Sequence, residues 1–114
     1  KERLTACATY VFDFLFEYSA ISRVSILGDF QNYNENSNSV LTQRGFLLSL
    51  KNSISNEDKS MFVFILTAAM QTAFLGSETV KQLLGYDFTK TDDRAAYISK
   101  LVNILFEGMV QINE

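Results

Sequence analysis

The sequence predicts an all-α fold, and three features lead to this expectation. The 114 residues include no proline and only five glycines, so little interrupts a helix and turn-dense β architectures are disfavoured. Apolar residues recur along most of the chain at the three- and four-residue spacing of amphipathic helices. The hydrophobic fraction of 47% suits a packed core, and a chain of this length makes one domain. We therefore expect a single helical-bundle domain over residues 1–114, with about six helices.

Three helices are expected in the first half of the chain. From Leu4 to Tyr18 the apolar residues repeat with helical spacing, which predicts an amphipathic helix of about five turns. A shorter helix is expected over residues 21–30, because the stretch that follows, QNYNENSNS, is rich in turn-forming side chains and indicates a surface loop. The segment SVLTQRGFLLSLKNSI carries a weaker helical stripe, which Gly45 interrupts.

Three more helices are expected in the second half. The segment SNED at Ser55 to Asp58 has the form of a capping box, so a helix should begin there and continue through MFVFILTAAMQTAFLG. Gly76 should end that helix, and a short helix should follow it until Gly85. The last helix should begin at TDD, where a threonine can cap it and two aspartates suit its positive end.

Charge and composition narrow the function classes. The chain has 13 acidic and 10 basic residues, so it lacks the basic surface that neutralises nucleic-acid phosphates. It has no histidine and a single cysteine, Cys7, which rules out a Cys/His or Ser/His pair and a multi-cysteine metal site. Cys7 falls on the buried stripe of the first helix, where a thiol is usually inert. We expect no enzymatic activity, no cofactor and no metal ion, and a reducing, cytoplasmic location.

The helix that contains MFVFILTAAMQTAFLG has almost no polar side to expose to water. It is shorter than the roughly 20 apolar residues that cross a bilayer, so we expect no membrane insertion. One side, with Phe62 and Ile65, is expected to face the core. The other side mixes large apolar groups with Thr67 and Gln71, a blend that suits contact with another folded surface.

The last helix also has more apolar surface than one packing direction needs, and Gly108 would let another helix approach closely. We therefore expect a homodimer in which the last two long helices of each copy form a four-helix interface. The alternative is a monomer that buries both helices in its own bundle. The predicted interface residues are Phe64, Thr67, Ala68, Gln71, Phe74, Leu75, Tyr97, Leu101, Ile104 and Gly108.

An aromatic ridge on the first helix suggests a pocket wall. Tyr10, Phe14 and Tyr18 are spaced four residues apart and so share one side of the helix. They are candidates to line a pocket for a small hydrophobic effector, with ordinary core aromatics as the alternative. For Thr67 and Gln71, interface groups are favoured over pocket donors and core polar residues. The further pocket candidates are Phe46, Phe62 and Ile65.

Two carboxylates on the first helix are the remaining candidates for chemistry. Asp13 and Glu17 have the four-residue spacing that acid/base catalysis or an oxygen-ligand metal site could use. They fall on the polar side of an amphipathic helix, so a solvated charged face is the prediction. An enzyme would require carboxylates to meet in a cleft.

The order of elements is a long aromatic helix, a short helix, a polar loop, a middle helix, MFVFILTAAMQTAFLG, a short connector and a final helix with YISKLVNILFEGM. This order resembles the C-terminal regulatory domain of TetR-family transcription repressors, and the final helix, with Gly108 near its end, also resembles family sequence. In that family the last two long helices form a four-helix dimer interface, and the preceding helices surround a small-molecule pocket. The resemblance implies a domain that binds a small hydrophobic effector and homodimerises to control DNA binding.

The DNA-binding part of that family is an N-terminal helix-turn-helix, and no segment of this chain matches it. The chain opens at Lys1 without a methionine, inside a periodic segment, so we expect a fragment of a longer protein that contacts DNA only through the missing domain. The alternative function is a non-regulatory helical protein-interaction or dimerisation domain.

Overall fold

The chain folds into helices joined by short connections. The computed structural model describes residues 1–50 and 54–112, and these contain six helices and no strand, which confirms the all-α prediction. The helices are α1 (Glu2–Glu17), α2 (Ser19–Gln31), α3 (Asn38–Ser49), α4 (Asn56–Leu75), α5 (Ser77–Leu84) and α6 (Thr91–Ile112).

Helix boundaries coincide with local start and stop signals. The Ser55 hydroxyl accepts a hydrogen bond from the backbone N–H of Asp58 at 3.2 Å, so α4 begins with the predicted serine cap. Gly85 ends α5 with φ of 83°, a left-handed conformation that glycine adopts without strain. Helix α3 continues through Gly45, because tertiary packing of its neighbour Phe46 outweighs the low helix propensity of glycine. The end of the segment predicted for this helix, residues 51–53, lies outside the described residues.

Helix α1 lies at the centre of the bundle and packs against α2, α3, α4 and α6. Its side chains at Leu4, Ala8 and Phe12 are four residues apart, and all three are fully buried. The core that they enter contains buried side chains from α1, α3, α4 and α6 and from the loop before α6. Helices α2 and α5 contribute none of its fully buried members. Its other buried members are Phe46, Leu50, Ile54, Phe62, Val63, Leu66, Met70, Ala73, Phe88, Ile98 and Val102.

One part of this core is almost entirely aromatic. The Phe12 ring lies 5.1 Å from the rings of Phe16 and Phe88 and 5.6 Å from the ring of Tyr97, measured between centroids. The Tyr97 hydroxyl donates to the backbone carbonyl of Ala69 at 3.1 Å, which fixes α6 against α4. Burial, and the neighbouring Tyr86 to a smaller extent, raise the pKa of Tyr97. We refer to Phe12, Phe16, Phe88 and Tyr97 as the aromatic core.

Helices α4 and α6 run antiparallel. Phe62 near the start of α4 meets Phe106 near the end of α6, whereas Ala69 meets Tyr97. The side of α4 that faces away from α1, α3 and α6 carries Met61, Phe64 and Ile65, which are exposed.

In the described part of the chain, no single helix is long and apolar enough to span a bilayer. Helices α4 and α5 meet those criteria only when they are taken together, and they join at a bend of 104°.

Candidate functional site

A groove of about 510 Å³ opens between the C-terminal half of α1, helix α2, the start of α3 and the middle of α4. This volume falls within the roughly 300–1,000 Å³ that small-molecule sites occupy. Tyr18 lies between α1 and α2 with non-helical backbone angles, and the change of direction there lets both helices contribute to the wall. The apolar lining residues are Val11, Phe14, Leu15, Ile21, Ile26, Leu41 and Met70, and the polar ones are Ser22, Ser25, Asp29, Asn38, Ser39, Thr42, Thr67 and Gln71.

Two hydroxyl groups in the groove are buried without a partner. Ser22 on α2 and Thr67 on α4 are each 4% exposed, and their oxygens make no hydrogen bond with any described residue. A buried polar group in this state costs about 1–3 kcal/mol. Both side chains line the same groove, so a molecule bound there could satisfy them. This combination of an apolar cavity and unpaired polar groups is characteristic of a binding site.

A short hydrogen-bond network forms one edge of the groove and connects three helices. A carboxylate oxygen of Asp29 on α2 accepts from the backbone N–H of Ser39 at 2.8 Å and from its hydroxyl at 2.6 Å. The side-chain amide of Gln71 on α4 donates to the same Ser39 hydroxyl. Because Ser39 lies in the first turn of α3, the Asp29 carboxylate also interacts favourably with the positive end of that helix.

The lining of the groove combines apolar side chains with mainly uncharged polar ones. Of the described residues, Asp29 is the single charged one that contributes to the groove, and its carboxylate accepts two hydrogen bonds from Ser39. Among the described residues no lysine or arginine lines the groove, and the chain has no histidine, so a Ser/His or Cys/His pair cannot form there. The groove therefore offers shape, apolar contact and neutral hydrogen-bonding groups.

A second, more polar cleft of about 320 Å³ lies between α1 and the start of α6 and is lined in part by Asp13, Glu17 and Arg94. The Arg94 guanidinium donates to the Asp13 carboxylate at 2.7 Å and to the Phe88 carbonyl at 2.7 Å. It also lies 5.4 Å from the centroid of the Phe16 ring. Asp13 therefore has a structural partner, which the prediction of a solvated face missed, whereas Glu17 is exposed as expected.

The six predicted pocket residues lie in three different places. Phe14 lines the groove and also the second cleft, and Tyr10 and Tyr18 line only the second cleft. Phe46 and Phe62 are buried in the core and line neither cavity. Ile65, expected on the core side of α4, is instead at the surface, because α1, α3 and α6 cover the other sides of that helix.

Helix α2 supplies much of the groove wall, and the sequence prediction did not include it. Ser22, Ser25, Ile26 and Asp29 are separated by three or four residues and therefore share one face of α2. A face of small polar residues around one isoleucine was therefore the sequence pattern that could have indicated a groove wall on α2. The aromatic ridge of α1 is the more prominent pattern in the sequence, and α2 has no comparable aromatic stripe.

The predicted interface residues divide into buried and surface groups. Thr67, Gln71 and Phe74 are buried within the chain, the first two in the groove and Phe74 against the Phe16 ring at 5.1 Å. Contrary to expectation, these three side chains are therefore not exposed on the outer surface of the single chain. The half-buried residues are Ala68, Leu75, Tyr97 and Leu101, and the exposed ones are Phe64, Ile104 and Gly108.

Four of the surface members, together with Met61 and Ile65, form an apolar face on the outer sides of α4 and α6, which we call the α4–α6 face. The hydrogen bond from Tyr97 to Ala69 places these two positions side by side, and Ile65 lies one turn before Ala69 on α4. Leu101 and Ile104 follow Tyr97 on the same side of the antiparallel α6. The α4–α6 face consists of Met61, Phe64, Ile65, Ala68, Leu101 and Ile104.

Comparisons of the chain with protein-family models, with curated proteins and with solved structures find no match. Among residues 1–50 and 54–112, no three or more cysteine, aspartate or glutamate side chains are grouped in a way that could hold a metal ion. The groove and the α4–α6 face are therefore the two structural features on which the proposed function rests.

Proposed function

We propose that the chain is the regulatory domain of a TetR-like transcription repressor, which binds a small hydrophobic effector in the groove and homodimerises through the α4–α6 face. In this proposal a helix-turn-helix domain that precedes Lys1 in the full-length protein contacts DNA. The observation that carries the effector-binding part is the pair of unpartnered buried hydroxyls, Ser22 and Thr67, in an otherwise largely apolar groove. A simple helical interaction domain, the alternative, would not need an open groove inside its bundle.

The groove also suggests how a bound effector would act. Its walls come from α1, α2, α3 and α4, so one bound molecule would contact both α1 and α4, the helix that carries four of the six residues of the α4–α6 face. An effector that fits one arrangement of α1 against α4 better than another would shift the population toward it. In a dimer, that shift would change the separation of two attached DNA-binding domains, which must match half-sites about one helical turn apart.

Naphthalene is a suitable first probe for the groove, because it is apolar and small compared with the cavity. We expect saturable binding by isothermal titration calorimetry and a rise in the unfolding temperature. Thr42→Trp should abolish binding by filling the mouth of the groove, whereas Gln82→Trp, on the exposed side of α5, should leave it unchanged. Absence of binding to the wild-type chain, or equal binding to both variants, would contradict effector binding at this site.

The full-length gene provides the test of the regulatory part. The DNA upstream of the Lys1 codon should encode a compact three-helix unit with a helix-turn-helix, since that element reads the major groove. An unrelated upstream domain would leave the helical interaction domain as the better assignment.

The α4–α6 face supports a homodimer by its composition and by its charged border. The face itself carries no charge, and Phe64 and Ile104 are 51% and 55% exposed. Lys100 and Glu107 are exposed on α6 on either side of Ile104. If α6 packs antiparallel against its copy about a two-fold axis near Ile104, Lys100 lies opposite Glu107 of the partner subunit. The contact would thus be complementary in charge as well as apolar.

Sedimentation velocity of three variants tests the dimer. Phe64→Glu and Ile104→Glu should each give monomers, because a carboxylate would be buried without a partner. Val24→Glu, at an exposed apolar position on α2, is the matched control and should remain dimeric. A monomeric wild-type chain, or dimers of all three variants, would contradict an interface at this face.

A charge exchange tests the two-fold arrangement more specifically. Lys100→Glu alone should weaken the dimer by placing like charges opposite each other. Adding Glu107→Lys should restore the wild-type dissociation constant, since both pairs then have opposite charges again. A double variant as weak as the single one would show that the two residues do not face each other.

A further inference from the structure

We infer that the groove selects an uncharged, largely apolar molecule with one hydroxyl or carbonyl group that hydrogen-bonds to Ser22 and Thr67. This inference rests on the proposed binding of an effector in the groove and specifies the chemical class of that effector.

The two unpartnered hydroxyls belong to different walls of the groove. Ser22 belongs to α2 and Thr67 to α4, so the two side chains enter the groove from different walls. Each hydroxyl can both donate and accept, and each lacks a partner among the described residues. A ligand hydroxyl or carbonyl could pair with one or both of them, while a pure hydrocarbon would leave both unsatisfied.

The charges around the groove argue against an anionic ligand. In the part of the chain that the structure describes, no lysine or arginine lines the cavity, so a carboxylate or phosphate would be transferred from water without a counterion. The lining carboxylate of Asp29 would add repulsion.

A cationic ligand is disfavoured for a different reason. The Asp29 carboxylate accepts both the backbone N–H and the hydroxyl of Ser39 and lies at the positive end of α3. Two hydrogen-bonding positions of this carboxylate are therefore already occupied within the protein. An ammonium group that entered the groove would lose its hydration and would face only this engaged carboxylate, so the groove suits a neutral molecule.

A matched series of naphthalene derivatives tests this selectivity by calorimetry at pH 7. The series consists of naphthalene, 1-naphthol, 1-naphthoate and 1-naphthylmethylamine, which differ only in one substituent. We expect 1-naphthol to bind about fivefold more tightly than naphthalene, the gain of one net hydrogen bond. The carboxylate and the ammonium compound should both bind more weakly than naphthalene.

Two variants identify the residues responsible. The double variant Ser22→Ala/Thr67→Val should lose the preference for 1-naphthol over naphthalene. Ser19→Ala/Thr72→Val is the matched control, because these two hydroxyls lie on the same helices, α2 and α4, but are exposed outside the groove. It should keep the preference. Thermal unfolding of each variant verifies that it is folded.

The outcomes separate this inference from the proposed function. If naphthalene binds the wild type and is blocked by Thr42→Trp, but 1-naphthol has no advantage, the inference is overturned and effector binding stands. The same holds if the advantage survives in the double variant, or if the carboxylate or ammonium compound binds most tightly. If no compound in the series binds, effector binding in the groove fails as well.

Discussion

Two sides of the same turns of α1 have opposite characters. On one side, the ring of Phe12 is surrounded by the aromatic core at centroid distances of 5.1–5.6 Å. On the other side, Val11, Phe14 and Leu15 border a groove of about 510 Å³. Edge-to-face aromatic packing adds to the burial energy on the first side, whereas the second side forgoes such contacts. The chain thus combines a filled, stabilising side with an open side, which suits a domain that must hold its shape and accept a ligand.

The two sides of α1 also differ in the hydrogen bonding of their buried and half-buried polar groups. The hydroxyl of the half-buried Tyr97 donates to the Ala69 carbonyl, and Arg94 donates to Asp13 and to the Phe88 carbonyl. In the groove, the hydroxyls of Ser22 and Thr67 have no such partner. The hydrogen-bonded groups on the side of the aromatic core therefore help to specify the packing. The unpaired hydroxyls on the groove side remain able to form hydrogen bonds with another molecule.

Truncation of the central aromatic ring should have the largest effect on stability. Phe12→Ala should lower the free energy of unfolding by about 3–5 kcal/mol, because it leaves a cavity among three other rings. Leu41→Ala, at the exposed rim of the groove, should cost less than about 1 kcal/mol. Urea denaturation measures both values. Similar losses for the two variants would remove the distinction between the two sides.

Loss of Arg94 should be the next largest effect. Arg94→Met should cost about 1.5–3 kcal/mol, since it removes charge-assisted hydrogen bonds to Asp13 and the Phe88 carbonyl. Asp13→Asn should cost less, because its carboxylate is more than one-third exposed and the variant retains an acceptor oxygen. Urea denaturation would contradict this ranking if the aspartate variant were the less stable of the two.

Removal of an unpartnered hydroxyl should have the opposite sign. Thr67→Val should raise the free energy of unfolding by about 1 kcal/mol, because a buried unpaired oxygen is replaced by a methyl group. Ser39→Ala is the matched contrast and should be destabilising, since the Ser39 hydroxyl bonds to both Asp29 and Gln71. A destabilised Thr67→Val variant would indicate that its hydroxyl is satisfied in solution.

The smallest effect should come from Asp87, beside the aromatic core. The Thr89 hydroxyl and backbone N–H donate to its carboxylate and hold its pKa below the ordinary value of 3.8. A pKa lowered by folding stabilises the folded state above the unfolded-state pKa, and this contribution is lost as the pH falls through the folded-state pKa. Asp87→Asn should therefore lower the unfolding temperature slightly at pH 7, and the difference should shrink below pH 3.8. A difference that is independent of pH would exclude this contribution.

The sequence was sufficient to predict the six helices because their signals are local. The Ser55 cap, the glycine at position 85 and the three- and four-residue spacing of apolar side chains all act within a few residues. These signals do not depend on which helices become neighbours. The fold class could therefore be predicted without knowing how the bundle packs.

The candidate site was harder to predict because it depends on helix neighbours. Thr67 and Gln71 share a side of α4 that could have faced a second chain, and only the placement of α2 and α3 shows that they line a groove. The partnership of Asp13 with Arg94 joins α1 to α6 and has no local signal in the sequence. Helical periodicity describes the sides of a helix but does not assign neighbours to them.

The carboxylate of Asp29 determines which groups donate and which accept in the hydrogen-bond network at one edge of the groove. A carboxylate is only an acceptor, so the Ser39 hydroxyl must point its hydrogen at Asp29 and accept from Gln71 with its oxygen. The Gln71 amide is thereby oriented, with its NH₂ group toward Ser39 and its carbonyl oxygen turned away. Asparagine at position 29 could donate or accept, so the donor and acceptor roles of Ser39 and Gln71 could then be exchanged. A residue of α2, Asp29, thus determines how the side-chain amide of Gln71 on α4 is oriented.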